Sequence, residues 1–168
     1  MAIRLVRVDE DPILRAKCKP IPEMTERLAG IIEDMFETMY DSEGVGLAGP
    51  QIGIRKRLFV VDTTLDPENG PFERYVCINP EILETEGEQV GSEGCLSIPG
   101  KHATVRRPMK VRMRAQNEKM EWYELEAEGL LARAILHEND HLDGILYTDR
   151  KEGPLLDNEE AEQETEAR

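Results

Sequence analysis

No stretch of this 168-residue chain is apolar for long enough to cross a bilayer, and its opening residues, MAIRLVRVDEDP, carry charge where a secretory signal would be apolar. A soluble, cytoplasmic protein without a membrane partner is expected. Cysteine is scarce. Cys18, Cys77 and Cys95 cannot all pair within the chain, and a reducing compartment disfavours a structural disulfide, so each reads first as a small buried side chain. Bases are in deficit, 21 Lys and Arg against 35 Asp and Glu, and the formal net charge of −14 repels phosphate backbones. Direct nucleic-acid binding is therefore not expected. No internal repeat is visible, and the length suits one domain, expected over residues 1–153. Residues 154–168 are expected to form an acidic, disordered tail. The last twelve, DNEEAEQETEAR, hold six acids, one base and no apolar residue larger than alanine, too little to offset the entropy of ordering.

What is present falls into two periodicities. In DPILRAKCKPI, Asp11 can cap a short helical turn begun by Pro12 and ended by Pro20. From Thr25, the residues Leu28, Ile31, Ile32, Met35, Phe36 and Met39 recur at helical spacing and predict an amphipathic helix with one buried stripe. Past DSEGVGLAGPQIG the pattern becomes β. RLFVVD, FERYVCINPEIL, TVRRPMKVRMRA and KMEWYELEAEG are rich in β-branched and aromatic residues, and Cys77 and Trp122 within them are expected to be buried. A second helix is expected from near Leu130. The order helix, strands, helix predicts an α+β fold with a mostly antiparallel sheet rather than alternating βαβ units.

That second helix carries HENDH. On a helix, His137 and His141 lie about 40° apart around the axis and about 6 Å along it, so both imidazoles reach one ion. Glu138 projects to the side, where a carboxylate can take a proton from water beside the metal. Solvent-facing histidines on a polar helix are the bland alternative, disfavoured by the apolar flanks Ala134, Ile135 and Leu142. A catalytic site of this kind needs a third protein ligand. A distant glutamate would serve, and Tyr147 occupies the position where a third histidine falls in some HExxH helices. His102, in PGKHATVRR, reads as an exposed turn. Cys95, in GSEGCLSIPG, sits on tightly turned, glycine-rich backbone where a thiolate would bind a divalent ion strongly; a buried spacer in a bulged strand is its other reading.

The stretch GVGLAGPQIG has four glycines in ten residues, so its backbone can pass close to a ligand, with Gln51 offering an amide. It is not a nucleotide loop. No Lys and Ser or Thr follow as in a P-loop, and the glycine spacing misses the dinucleotide fingerprint.

In order along the chain, GVGLAGPQ, EGCLS and HENDHLDG resemble the peptide deformylase family, whose motifs are GxGLAAxQ, EGCLS and HExDHLxG. The resemblance extends over nearly everything but the acidic tail and is to the compact bacterial type. It implies a mostly antiparallel sheet packed around a central HExxH helix, with an N-terminal amphipathic helix. It implies a hydrolase that removes the formyl group from N-formylmethionyl nascent polypeptides, at or near the ribosome. Cys95, His137 and His141 become the metal ligands, holding Fe(II), replaceable by Zn(II), Ni(II) or Co(II). Glu138 becomes the general base that receives the proton of the attacking water and returns it to the leaving amine. The Gln51 amide and the Leu96 N–H would meet the oxyanion. Val45, Gly46, Leu130 and Ala134 would bind substrate, and Glu93 with Arg106 and Arg107 would either support the Cys95 turn as a buried ion pair or stand as exposed charges. Three positions depart from the family. Gly49 replaces an alanine and is expected to loosen its loop, Leu136 replaces a glutamine that donates a hydrogen bond, and Arg133 stands at a pocket position commonly apolar. Two other functions fit parts of the pattern: a zinc peptidase of another HExxH family, with a carboxylate third ligand, and a non-catalytic metal-clipped module that binds peptides.

Overall fold

The computed structural model describes residues 2–158; of the expected acidic tail, residues 159–168 lie outside them. Asp11 caps a single 3-10 turn, Pro12–Arg15, by accepting from the Ile13 N–H at 3.1 Å. Helix α1 (Glu26–Asp41) starts where Thr25 accepts from the Leu28 N–H at 3.0 Å. All six residues of the predicted stripe are buried along it. Helix α2 (Gly129–Leu142) carries HENDH. It stops at Gly144, whose φ of +74° suits glycine and whose missing Cβ leaves room for the Arg15 carbonyl, 2.5 Å from where that carbon would lie.

Five strands, β1 (Gly46–Ala48), β2 (Leu58–Asp62), β3 (Arg74–Glu86), β6 (Lys110–Gln116) and β7 (Trp122–Glu128), form one antiparallel sheet in the order β1-β2-β3-β6-β7. Strands β4 (Gln89–Cys95), β5 (Ile98–Arg107) and the two-residue β8 (Leu156–Asp157) form a second. Strand β2 is buried on both faces, and its alternation sorts the core. Leu58 and Val60 pack with the α1 stripe, while Phe59 and Val61 pack with Leu131, Ile135 and Leu142 of α2. The larger sheet thus has one helix against each face, and α2 sits between it and the smaller sheet's hairpin.

Between the register pairs Glu93↔Ala103 and Cys95↔Ile98, two steps along β4 face five along β5. The surplus residues form a wide bulge, with Gly100 at φ +75°. Among the described residues no helix is long and apolar enough to cross a membrane.

Three expectations need correction. TVRRPMKVRMRA is not one strand: Pro108, which cannot donate to a ladder, separates β5 from β6. Trp122 is 47% exposed on the solvent face of β7, with the Arg114 guanidinium stacked 3.9 Å from its ring centroid. Gly49 tightens its loop, because a Cβ there would come within 2.8 Å of the Ile54 carbonyl and 3.0 Å of that of Lys56.

Candidate metal centre and substrate cleft

Strand β4 and helix α2 bring together residues far apart in sequence. Cys95 and Glu93, two apart on β4, point to one face of it, and that face meets α2. The Cys95 sulfur lies 3.4 Å from His141 Nε2, and ligand atoms of Cys95, His137 and His141 all fall within 4.8 Å of one another. Around a tetrahedral ion, with bonds of about 2.3 Å to sulfur and 2.0–2.1 Å to nitrogen, such atoms stand roughly 3.3–3.6 Å apart. A small inward movement suffices. This is the group of metal-ligating type and spacing found among the described residues, and no carboxylate belongs to it. His102, the other histidine, is in β5 and hydrogen-bonds Asn158 at 2.8 Å.

The electrostatics of the cluster drive its two imidazoles in opposite directions. Burial pulls the His137 imidazole down, yet Glu138, Cys95 and Glu93 together hold it well above its ordinary value. Burial and then the neighbouring His137 push His141 well below it. Glu138 is buried, and desolvation drives its carboxyl up to about 7. Its two oxygens lie 4.0 Å from His137 Nε2 and 4.0 Å from His141 Nε2, and Oε1 has no hydrogen-bond partner among the described residues. A buried, unpartnered carboxylate oxygen between two imidazoles and a sulfur fits a site that holds a cation and a polar reactant.

Behind the histidines is a buried charge network. The Arg107 guanidinium donates to both Glu93 oxygens, at 2.8 and 2.9 Å, and to Asp140 at 2.7 Å. Arg133 donates to Glu93 at 2.6 Å and to the Val105 carbonyl at 3.1 Å, and Arg150 clasps Asp140 at 2.6 and 3.0 Å. Glu93 Oε1 lies 2.8 Å from His137 Nδ1, which turns Nε2 toward the cluster. Although burial works against its charge, Arg107 and His137 keep the Glu93 carboxyl far below the usual range.

Of the expected support residues, Glu93 and Arg107 meet here, whereas Arg106 does not. Successive strand residues face opposite ways, so Arg106 points to solvent and pairs with Glu88 and Glu152. Arg133 and Asp140 carry the network instead. Sequence reasoning placed Arg133 only at a pocket rim and gave no role to Asp140, although it is the fixed aspartate of HExDHLxG and lies three after His137 on the same helix face.

A cavity of about 480 Å³ opens over the cluster, and its walls include Val45, Gly46, Leu96, Leu130, Ala134 and Glu138. Gln51 is fully oriented. Its Oε1 accepts from the Ala48 N–H at 2.9 Å, and its amide nitrogen donates to the Ser97 hydroxyl at 3.1 Å and toward the Cys95 sulfur at 3.5 Å. Leu96 follows Cys95 in the turn between β4 and β5, and Leu136 of α2, in place of the expected hydrogen-bonding glutamine, packs against the core. His141 Nδ1 is left without a partner among the described residues.

The sequence pattern of the family described as Polypeptide deformylase matches residues 3–155. A peptide deformylase of Clostridium botulinum (strain Alaska E43 / Type E3) is 57% identical over 150 residues, spanning 89% of this chain and 97% of that protein. The crystal structure of peptide deformylase from Thermotoga maritima superimposes with a TM-score of 0.81 at 43% identity, covering 90% of this chain and 99% of that one. A peptide deformylase from Synechococcus elongatus, solved in complex with actinonin, matches with a TM-score of 0.81 at 41% identity over 88% of this chain and 78% of that one.

Proposed function

We propose that this chain, which belongs to the polypeptide deformylase family and is a metal-dependent hydrolase that removes the N-formyl group of polypeptides, works through Glu138 as its proton carrier beside a cation held by Cys95, His137 and His141. The observation that carries this assignment is the buried Glu138 carboxylate, equidistant from both Nε2 atoms with one oxygen unpartnered. A divalent cation there supplies Lewis acidity and makes water a nucleophile near neutral pH. Glu138 takes the proton of the attacking water and passes it to the amine that leaves, so one carboxylate serves both transfers. The Gln51 amide, held at both ends, and the Leu96 N–H stabilise the charge that develops on the formyl oxygen. Val45, Gly46, Leu130 and Ala134 receive the N-terminal methionine side chain and its backbone. Glu93 and Arg107 hold His137 and the hairpin that bears Cys95.

Fe(II) is the cation we assign for the cell, with Zn(II), Ni(II) and Co(II) as substitutes; one thiolate and two imidazoles suit each of them. N-formylmethionyl nascent chains leaving the ribosome, in the cytoplasm, are the substrates. The test is formate release from formyl-Met-Ala by protein purified without oxygen, with the cation measured on the same sample. Turnover with formyl-Met-Ala and none with its acetyl counterpart is the expected outcome. Protein with a full complement of cation and no formate release would refute the reading.

Gly46 gives a sharper check. A Cβ there would lie 2.5 Å from Glu138 Oε2 and 2.8 Å from its Cγ, so Gly46→Ala must displace the carboxylate. Misplacement on the scale of 1 Å is expected to lower kcat about 10²-fold. Cation content should not change, since none of the three ligands moves. A variant with ordinary kcat would show that Glu138 need not stand where it does.

A further inference from the structure

Tyr147, at the position where a third histidine falls in some HExxH helices, is 1% exposed and lies against the metal centre. Its ring stacks on that of His137, with centroids 6.0 Å apart, and it packs with Ala103 and Val105 of β5 in a small cluster that Cys95 and Ile98 join. The 3-10 turn that carries it, Tyr147–Asp149, is held from both sides. Asp149 accepts from the Leu146 N–H at 3.0 Å and from Arg15, and the next residue, Arg150, clasps Asp140 of α2. A side chain placed this firmly ends in a hydroxyl that has no hydrogen-bond partner among the described residues. Buried donors without acceptors are few in folded proteins, because each forfeits its hydration and receives nothing back.

Two anionic groups lie near that hydroxyl. Burial pushes it up to about 12, and Cys95 and then Glu93 press it the same way, so it stays a donor. Glu93 has no room for it. Its Oε1 meets Arg107 and His137 and its Oε2 meets Arg107 and Arg133, the four partners a carboxylate accommodates. The Cys95 sulfur is less occupied: the Gln51 amide is directed at it from 3.5 Å, and His141 Nε2 stands 3.4 Å away.

We infer that Tyr147 is a positioning residue of the metal centre, whose hydroxyl donates a hydrogen bond to the Cys95 sulfur when that sulfur is a metal-bound thiolate. The inference rests on the deformylase reading, in which Cys95 is a ligand. A thiolate is a charged acceptor and draws the donor more strongly than a neutral thiol does. A bond made in the loaded protein and absent from the metal-free one adds to cation affinity. It also draws electron density from the metal–sulfur bond, as hydrogen bonds to ligand sulfurs do.

Tyr147→Phe keeps the ring and removes the oxygen. Three quantities are compared with the unaltered protein: Zn(II) affinity by competition with a chromogenic chelator, the thiolate-to-cobalt charge-transfer band of the Co(II) form, and the denaturant midpoint without metal. Zn(II) affinity is expected to fall about tenfold, in line with the loss of other partners of metal ligands. The band is expected to move to lower energy, since the sulfur lone pairs rise when the donor is gone. The metal-free midpoint should not fall, because the variant discards a buried donor that had no acceptor. A band that stays in place overturns the inference whatever the affinity does, and an affinity that drops only together with the midpoint marks a packing defect and overturns it too. An unaltered protein whose Co(II) form lacks the band altogether would refute Cys95 as a ligand, a separate result that removes the premise of the proposed function as well.

Discussion

Glu138→Gln is expected to lower kcat by about 10³–10⁴-fold while the protein keeps its cation and its thermal stability. A positioned acid or base is typically worth about 10²–10⁴-fold, and this carboxylate is asked to move a proton twice. Glutamine preserves the side chain's shape, and because Oε1 has no hydrogen-bond partner among the described residues, the amide forfeits no contact made through that oxygen. Burial penalises the charged carboxylate, having driven it up to about 7, so a neutral amide removes a cost rather than adding one. Steady-state formate release and atomic absorption on the same preparation make the measurement. A glutamine variant that retains a tenth of the turnover would remove Glu138 from the mechanism, and one that loses the cation would make the carboxylate a ligand.

Arg107→Met is expected to cost about 3–5 kcal/mol of stability, the usual effect of breaking a buried ion pair by deleting one partner. Arg107 is 4% exposed and its guanidinium makes three charge-assisted hydrogen bonds, two to Glu93 and one to Asp140. Its loss leaves Glu93 to Arg133 and His137, and Asp140 to Arg150. The neighbouring Arg106→Met is the control. Its pairs with Glu88 and Glu152 are exposed and screened by solvent, so its midpoint should barely move. Denaturant midpoints at matched cation content compare the two. Similar midpoints would show that the buried network is not what holds the hairpin to α2. Arg107→Lys should not rescue, because an ammonium cannot span both Glu93 oxygens and Asp140 in the same plane.

The adjacent arginines also show how far a sequence can be read. Nothing in TVRR distinguishes Arg106 from Arg107; only the register with β4, and hence the burial of Ala103, Val105 and Arg107 against the exposure of Thr104 and Arg106, separates them. The long periodic segments were legible for the opposite reason. The α1 stripe repeats one instruction over four turns, and RLFVVD is a run of β formers bounded by turns, so neighbouring residues corroborate each other. HENDH told its geometry directly because two of its groups share a helix face. Glycine-rich β4 gave little strand signal, Trp122 lies on a face whose orientation depends on strand pairing, and Asp140 gains its partners from β5 and from beyond α2. Each of these depended on contacts distant in sequence.

The bulge in the β4–β5 hairpin has an engineering consequence. It separates two anchor points, Cys95↔Ile98 at the tip and Glu93↔Ala103 further down, while its looped-out residues Pro99 and Gly100 form part of the cavity rim. Slack between two clamps can be lengthened or rewritten without dragging either clamp along. Peptide selectivity can therefore be remodelled at that rim by grafting, with the sulfur and the charge network left as a fixed chassis.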